Sequence, residues 1–229
     1  MIRDAHHPVW TPLVHRYVLW KLGRAFRGLW ALGTLPATDE PLLMYANHTS
    51  FWDGFVVHAL TRAAGRQGYA VMEEQNLDRY RFLTRIGALS IRRGDRASAL
   101  ETLRHCSTVL ARPRASLLLF PQGRLERACA PLRFERGLEV LARMSKARAV
   151  PVALRYAFFE HEYPDVLVAA GEPHAPDSLA ACEQRLAAQV SRLATVEAPT
   201  PHAPLLAGRR SVAERWDAAR GLQPEKEHT

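Results

Sequence analysis

A histidine and an aspartate lie five residues apart in the segment Asn47–Asp53, which reads Asn-His-Thr-Ser-Phe-Trp-Asp. An imidazole titrates near neutral pH, so His48 is a candidate general base. A carboxylate bonded to one ring nitrogen fixes the tautomer and leaves the other nitrogen free to take a proton. A turn between His48 and Asp53 can bring the two side chains together. The alternative is that Asn47, Thr49, Ser50 and Asp53 are helix-capping residues and His48 is incidental.

A second candidate for chemistry is the turn Pro121-Gln122-Gly123-Arg124, which follows the strongest predicted strand of the chain, Ser116–Phe120. Proline cannot continue a strand, and glycine permits a tight turn with close approach of the backbone to a ligand. Exposed backbone amides at such a turn can bind an oxyanion or a phosphate. Two further stretches of interest are residues 87–93 (GALSIRR) and residues 150–152 (VPV).

Short apolar runs alternate with segments of helical periodicity, which predicts an α/β domain with much parallel pairing. A candidate site just after a buried strand is where ligands gather in open α/β sheets. The predicted strands are residues 42–46, 70–72, 88–91, 116–120, 149–156 and 166–170. The predicted helices are residues 54–64, 97–111, 135–145, 179–193 and, short and charged, 212–219.

Residues 10–32 are predicted to form one amphipathic helix, because apolar residues recur at helical spacing. Residues 1–38 carry five Lys/Arg and one acid, a local balance of +4. A basic side opposite Trp, Phe and Leu is typical of a helix that lies in a membrane interface. The alternative is a helix that packs on the core and presents a solvated basic face.

Composition limits the remaining possibilities. The chain has 229 residues, a net charge of +8 and 48% hydrophobic residues, which fits one well-filled domain. The charge suits an anionic membrane, an anionic substrate or nucleic acid. Neither a secretory signal nor a run of about 20 apolar residues is present, so any membrane contact is expected to be peripheral. Three widely spaced cysteines predict a reducing compartment and no zinc-knuckle or disulfide framework.

The predicted organisation has three parts. Residues 1–38 are a membrane-associating segment, residues 39–196 the catalytic domain, and residues 197–229 a proline-containing appendage. Prolines at 199, 201 and 204 interrupt regular structure. Residues 223–229 are predicted to be disordered.

Four blocks, in order, resemble the glycerolipid (lysophosphatidic acid type) acyltransferase family. NHTSFWD resembles its His-x4-Asp motif, and GALSIRR its second block, which ends in an anion-binding arginine. FPQGR resembles its third block, usually Phe-Pro-Glu-Gly-Thr-Arg, and VPV its fourth. The sequences LRFERG (residues 132–137) and GEP (residues 171–173) also resemble family stretches, so the resemblance covers roughly residues 40–175.

The resemblance implies an αβα layered domain with a mixed, largely parallel sheet, preceded by a membrane-docking helix. It implies that His48 deprotonates a lipid hydroxyl, that Asp53 orients His48, and that the hydroxyl attacks a thioester directly. Amides around Gly123 would hold the oxyanion. Arg93 would meet an anionic acceptor group, with Arg92 and Arg96 as rivals. The implied substrate-binding residues are Arg93, Phe120, Pro121, Gln122, Gly123 and Arg124.

The third block departs from the family pattern. Gln122 stands where glutamate is usual, and Arg124 and Leu125 stand where Thr and Arg are usual. Glutamine keeps a carbonyl acceptor, loses a charge and adds an amide donor. Arg124 or Arg127 is a candidate replacement for the missing arginine. The second block also has Arg92 where an acid is common. These departures leave the acceptor open.

The resulting expectation is an O-acyltransferase of phospholipid biosynthesis that uses acyl-CoA or acyl carrier protein as acyl donor, without a metal or other cofactor. The acceptor is 1-acylglycerol-3-phosphate or a related lipid, and the alternative is a glycolipid or a carotenoid or terpenoid glycoside. The protein is expected at the cytoplasmic face of a membrane, as a peripheral protein. Phe51 and Trp52 shape its apolar pocket or pack in the core. A lipid-binding protein without turnover is a second hypothesis. A nucleic-acid binder, the third, is suggested only by charge and is not expected.

Overall fold

The computed structural model describes residues 1–199 and 204–221, and its strands form one sheet. The strands are β1 (Gly28–Leu32), β2 (Leu42–Ala46), β3 (Gln67–Glu73), β4 (Ala88–Ile91), β5 (Ala115–Leu119), β6 (Arg148–Ala157), β7 (Asp165–Ala170) and β8 (Leu206–Ala207). The helices are α1 (Trp10–Ala25), α2 (Asp53–Ala63), α3 (Glu74–Arg79), α4 (Arg96–Val109), α5 (Gly137–Ser145), α6 (Leu179–Ala194) and α7 (Val212–Ala219), with a 3-10 helix at Arg81–Ile86.

The sheet is mixed and largely parallel, with strand order β4-β3-β5-β2-β6-β7-β1-β8. The five strands from β4 to β6 are all parallel, whereas β6 with β7 and β1 with β8 pair antiparallel. The carboxyl ends of those five parallel strands therefore lie on one edge of the sheet. The predicted α/β fold with much parallel pairing is confirmed.

Helices cover both faces of the sheet, which explains why the central strands are apolar without interruption. In β2, Leu42 and Met44 pack with side chains of α1 and α2, whereas Leu43 and Tyr45 pack on the other face with α4, α5 and α6. This alternation follows from the two-residue period of a strand. The αβα layering implied by the family resemblance is thus present.

The predicted single helix over residues 10–32 is wrong beyond Ala25. Phe26 is extended, and Gly28–Leu32 forms β1, which pairs parallel with β7. Arg27 does not lie on a solvated basic face, because its Nε donates to the buried carboxylate of Asp165 at 2.9 Å. Local periodicity cannot distinguish a short buried strand from a continued helix, and long-range pairing decides between them here.

Both flanking segments contribute to the sheet, through β1 and β8. The predicted short helix at residues 212–219 is present as α7, whose capping box is formed by Ser211 and Glu214. The division into three segments stays a prediction, and the disorder expected for residues 223–229 falls outside the described residues. Among the helices that the structure describes, none combines the length and apolarity needed to cross a membrane.

Candidate functional site

The four sequence blocks meet at the carboxyl edge of the parallel strands. His48 follows β2, Arg93 follows β4, Phe120 follows β5, and the VPV block lies within β6. The order of strands places β5 and β6 on either side of β2. Residues that are about 70 to 100 positions apart in the sequence therefore surround His48, as expected for a site at the ends of parallel strands.

His48 and Asp53 form the centre of the site. His48 Nδ1 lies 2.9 Å from Asp53 Oδ2, and the Asp53 side chain is fully buried. The same carboxylate oxygen accepts the backbone amides of Thr49 at 2.7 Å and Ser50 at 2.9 Å. The capping interpretation is wrong for Asp53, because α2 begins after Trp52 without a side-chain cap and Asp53 accepts amides that precede the helix. Its carboxylate closes the turn before α2 and also contacts the imidazole. His48 Nε2 donates to or accepts from no protein group in the part of the chain that the structure describes.

Tyr156, on β6, is a site residue that sequence reasoning missed. Its hydroxyl donates to Asp53 Oδ1 at 2.6 Å. Burial raises the pKa of the Tyr156 phenol well above its usual value, and the Asp53 carboxylate raises it further. The phenol therefore remains a donor over the physiological pH range. Its position four residues after the VPV block was the available signal, but no local spacing connects it to Asp53.

The third block is bonded to the backbone of His48. Gln122 Oε1 accepts the His48 amide at 2.9 Å, and the His48 carbonyl accepts the amide of Glu126 at 2.8 Å. The Phe120 ring stacks on the imidazole, with ring centroids 4.0 Å apart and planes 14° from parallel. Asn47 exchanges two hydrogen bonds with the backbone of Leu154 on β6. These contacts fix the ring from both neighbouring strands. Gln122, predicted to bind substrate, also holds the backbone of His48.

Gly123 has φ of +69°, and its missing side chain leaves room for two charged groups. A Cβ there would lie 2.8 Å from a terminal nitrogen of Arg93 and 2.6 Å from Glu135 Oε1. The structure thus brings the second-block arginine to the third-block turn. It also brings a carboxylate of the LRFERG stretch, which sequence reasoning did not assign to the site.

The amides expected to hold an oxyanion are only partly free. Gly123 donates its own N–H to the Phe120 carbonyl at 2.9 Å. Within residues 1–199 and 204–221, the amides of Arg124 and Leu125 donate to no protein group. The amide of Gln122 likewise donates to none of these residues, so the turn has three N–H groups available to an oxyanion.

The rival arginines differ in how their charges are used. Arg92 pairs with Glu74 at 2.5 Å, and Arg124 pairs with Glu126 at 2.6 Å. Arg96 begins α4, and its side chain is exposed, as is that of Arg127. Leu125, which stands at the usual arginine position, is 55% exposed. Arg93 is the arginine that the fold places against Gly123.

The rim of the site is apolar. Phe51, Leu125 and Phe158 follow β2, β5 and β6 respectively, and each is more than half exposed. Trp52 is partly buried, and its ring lies 5.4 Å from that of Phe26. Each interpretation of the Phe51-Trp52 pair thus fits one of the two residues. Phe51 lies at the surface of the site, and Trp52 packs against the core.

A histidine held by a buried carboxylate, with its second nitrogen unpaired, is the arrangement of enzymes that activate a hydroxyl group by removing its proton. Within the described residues, no group of three or more His, Cys, Asp or Glu side chains is arranged to hold a metal ion. The arrangement thus defines a general-base site on an α/β scaffold.

Comparison with known proteins identifies the family. The Acyltransferase family model matches residues 32–155, which is more than half of the chain. The chain belongs to this acyltransferase family, and the resemblance drawn from the four blocks is confirmed. A 1-acyl-sn-glycerol-3-phosphate acyltransferase from Chlamydomonas reinhardtii is 31% identical over 125 residues, or 52% of this chain and 36% of that protein. The chain thus spans about a third of the length of this relative.

The fold also matches a solved structure. The crystal structure of PlsC, the 1-acyl-sn-glycerophosphate (LPA) acyltransferase of Thermotoga maritima, superposes with a TM-score of 0.59 at 16% identity. The match covers 82% of this chain and 83% of that one. At this level of identity the similarity shows a common fold.

Proposed function

We propose that this protein transfers a fatty acyl group from an acyl thioester to a lipid hydroxyl, with His48 as the general base. The observation that carries the proposal is the 2.9 Å pair of His48 Nδ1 and the buried Asp53 carboxylate. This pair leaves Nε2 to take the hydroxyl proton. The oxygen then attacks the thioester carbonyl and the C–S bond breaks. His48 gives the proton to the departing sulfur, which leaves as a thiol, and the neutral imidazole is restored. The amides of Arg124 and Leu125 stabilise the charge on the carbonyl oxygen.

The leading acceptor is 1-acylglycerol-3-phosphate, with acyl-CoA or acyl carrier protein as donor, which would place the protein in phospholipid biosynthesis. Both named relatives act, by their names, on this class of lipid. Arg93 beside Gly123 supplies a cation for the acceptor phosphate. The exposed rim formed by Phe51, Leu125 and Phe158 offers apolar contact to acyl chains.

A less anionic acceptor, such as a glycolipid or a carotenoid or terpenoid glycoside, is the second candidate. Two observations favour it: Leu125 replaces the usual third-block arginine, and the carboxylate of Glu135 approaches Gly123 as closely as Arg93 does. The negative charge of Glu135 beside Gly123 repels a phosphate that would bind there.

The test offers labelled acyl-CoA and acyl carrier protein donors against lysophosphatidic acid, glycerol 3-phosphate and a neutral glycolipid pool. His48→Ala is expected to abolish transfer and to leave the fold intact by circular dichroism. Transfer by His48→Ala at the wild-type rate would refute the role of His48. Label found only in the neutral pool would select the second candidate. Lipid binding without turnover on every acceptor would favour a non-catalytic protein.

We also propose that α1 docks the protein on a membrane surface. The outer face of α1 exposes Trp10, Leu13, Tyr17 and Trp20, each between 44% and 55%, and we call these residues the α1 stripe. Its apolar residues thus divide between a buried face with Val18 and Leu22 and this exposed face. Amphipathic aromatic rings favour the membrane interface.

Charge next to the α1 stripe supports docking on an anionic leaflet. Arg16, Lys21 and Arg24 are exposed beside the α1 stripe, not opposite it as the sequence pattern predicted. The Arg24 guanidinium lies 5.3 Å from the Trp20 ring centroid. The cytoplasmic leaflet of a membrane is the anionic one, so the proposed location of the protein is the cytoplasmic face of the membrane.

The docking test compares vesicle binding of Trp20→Ser with that of Trp216→Ser. Trp216 is 61% exposed but lies on α7, outside the α1 stripe. Losing one buried large apolar side chain costs about 1.5–3 kcal/mol, so Trp20→Ser is expected to bind vesicles at least roughly tenfold more weakly. Equal binding of both variants would exclude the α1 stripe as the docking surface.

A further inference from the structure

A cavity of about 500 Å³ lies at the sheet edge opposite the catalytic site. Its floor is formed by Gln67 and Gly68 at the start of β3, and by Arg114, which directly precedes β5. One wall is the last turn of α2 and the other is the first turn of α1. The amino ends of parallel strands are remote from the strand ends that carry His48, so the catalytic mechanism does not account for this cavity.

The charged side chains that line the cavity are all basic. They are Arg62, Arg66 and Arg114, accompanied by the imidazoles of His6, His7 and His58. Asp39 and Glu40 lie nearby, outside the lining, and the Asp39 carboxylate is 3.7 Å from Arg114 Nε. Three guanidinium groups around one space repel each other, so a bound anion would relieve an electrostatic cost.

The three arginines differ in how far the protein itself uses their hydrogen-bond donors. Arg66 is fully buried and donates to Ser116 and to the carbonyls of Pro36 and Thr38, so it stabilises the chain itself. Arg114, held with φ of +57°, extends a terminal nitrogen to within 3.1 Å of the place that a Cβ would take on Gly65. Arg62 is exposed and forms no ion pair or hydrogen bond with the described residues.

His58 adds a neutral hydrogen-bonding group. Its Nε2 lies 3.1 Å from His15 Nδ1, and its Nδ1 faces Gly68, where the missing side chain keeps the space open. Burial, followed by the charges of His15, Arg62 and His6, lowers the pKa of His58 to about 3. His58 is therefore neutral and offers a directional hydrogen bond, whereas Arg62 and Arg114 supply the positive charge.

We infer that this cavity is a binding site for a phosphate group, carried either by a free small molecule or by a lipid headgroup. Arginine is the side chain best suited to phosphate, because its planar fork donates two parallel hydrogen bonds. Two guanidinium groups next to a neutral imidazole give both the charge and the donors that the anion needs. The first turn of α1, which begins the α1 stripe, forms one wall, so a lipid headgroup can reach the cavity from a docked membrane.

The experiment uses the full chain carrying Arg93→Gln, which removes the other predicted phosphate contact. In this background, Arg62→Gln is compared with Arg104→Gln, which replaces an exposed arginine on α4 outside the cavity. Inorganic phosphate is titrated calorimetrically. In parallel, phosphatidylcholine vesicles with and without phosphatidic acid are sedimented with each variant. Binding of inorganic phosphate identifies a free anion, and binding only to phosphatidic acid vesicles identifies a headgroup.

Arg62→Gln is expected to weaken binding at least about tenfold, the loss typical of one charge-assisted hydrogen bond, and Arg104→Gln to leave it unchanged. Gly68→Ala is a second variant: its methyl would lie 3.4 Å from Thr61 and 3.6 Å from His58 Nδ1, ordinary contacts that preserve the fold but narrow the cavity. It is expected to weaken binding as well.

Equal affinity of Arg62→Gln and its parent, an equal loss in Arg104→Gln, or no binding from either phosphate source would overturn the inference. Acyl transfer is measured separately on Arg62→Gln with Arg93 retained, and it is expected to be unchanged. Failure of acyl transfer in the wild type would thus contradict the proposed function alone and leave the phosphate site standing.

Discussion

The Tyr156 hydroxyl is the most informative single group to remove, because it is the donor that the structure gives to Asp53 Oδ1. The other three contacts of this carboxylate, from His48, Thr49 and Ser50, all involve Oδ2. In Tyr156→Phe, Oδ1 of a fully buried carboxylate therefore loses its partner. The carboxylate is then free to rotate away from the orientation that holds His48.

The expected loss of stability follows from the charge on Asp53, which accepts the hydrogen bond. A hydrogen bond to a charged group contributes about 1.5–3 kcal/mol, so the free energy of unfolding should fall by that amount. For a chain of this size, about 2–4 °C is lost per kcal/mol, so the melting temperature should fall by roughly 3–12 °C. We expect kcat to fall about tenfold, which corresponds to a barrier raised by about 1.4 kcal/mol, because the rotated carboxylate no longer holds His48 in place.

A comparison of kcat with KM separates a positioning role from a purely structural one. The Tyr156 hydroxyl is bonded to Asp53, so it acts on the reaction through the orientation of that carboxylate. In Tyr156→Phe, kcat should fall while KM for the acceptor stays unchanged. The assay is acyl transfer at several acceptor concentrations, measured together with thermal unfolding.

Tyr163→Phe is the matched control, since the Tyr163 hydroxyl bonds to no protein group in residues 1–199 and 204–221. It should leave stability and rate unchanged. A Tyr156→Phe protein with wild-type stability and wild-type kcat would refute the reasoning. Lower stability with an unchanged kcat would reduce Tyr156 to a structural residue.

Two further predictions concern a turn and a buried histidine. Gly123→Ala should raise KM for the acceptor, because a Cβ there collides with Arg93 and Glu135; Gly94→Ala, at φ of +77° with open space around it, should cost only the backbone strain and leave KM unchanged. His58 has a pKa lowered from 6.5 to about 3 in the folded chain, so the unfolded chain takes up the proton first and stability should fall as the pH drops through that window. One group contributes a slope of at most about 1.4 kcal/mol per pH unit. In chemical denaturation, the free energy of unfolding should therefore fall less steeply with decreasing pH in His58→Gln than in the wild type. Equal slopes would mean that His58 is already charged in the folded chain.

The arrangement of the candidate site was largely predictable from the sequence, because its parts are either close together or ordered along the chain. His48 and Asp53 are joined by one turn, so their spacing alone permits contact. The central parallel strands are covered on both faces, and this burial requires the continuous apolar runs that made strands such as β2 and β5 recognisable. The four blocks come together when these strands become neighbours, because each block lies at or beside the carboxyl end of such a strand.

Tertiary structure decided the contacts that join distant segments. Tyr156 reaches Asp53 across 103 positions, and Gln122 reaches the His48 amide across 74. Glu135 and Arg93 both approach Gly123 because Glu135 bonds back to Pro121 in the third-block turn. No periodicity encodes such pairs, because they depend on which strands become neighbours.

The N-terminal segment shows the same division. Apolar spacing correctly indicates a helix for Trp10–Ala25, where successive turns repeat the pattern. Beyond it, Gly28–Leu32 has an apolar pattern that suits either a helix or a strand. It becomes a strand because β7 offers unpaired backbone groups and Asp165 offers a buried carboxylate to Arg27 and to the Trp30 indole. The sequence by itself therefore determined the local elements and the contact between His48 and Asp53. Pairing between distant segments decided the edge of the sheet and the surroundings of His48, because hydrogen-bonding partners far apart in sequence exist only once the chain has folded.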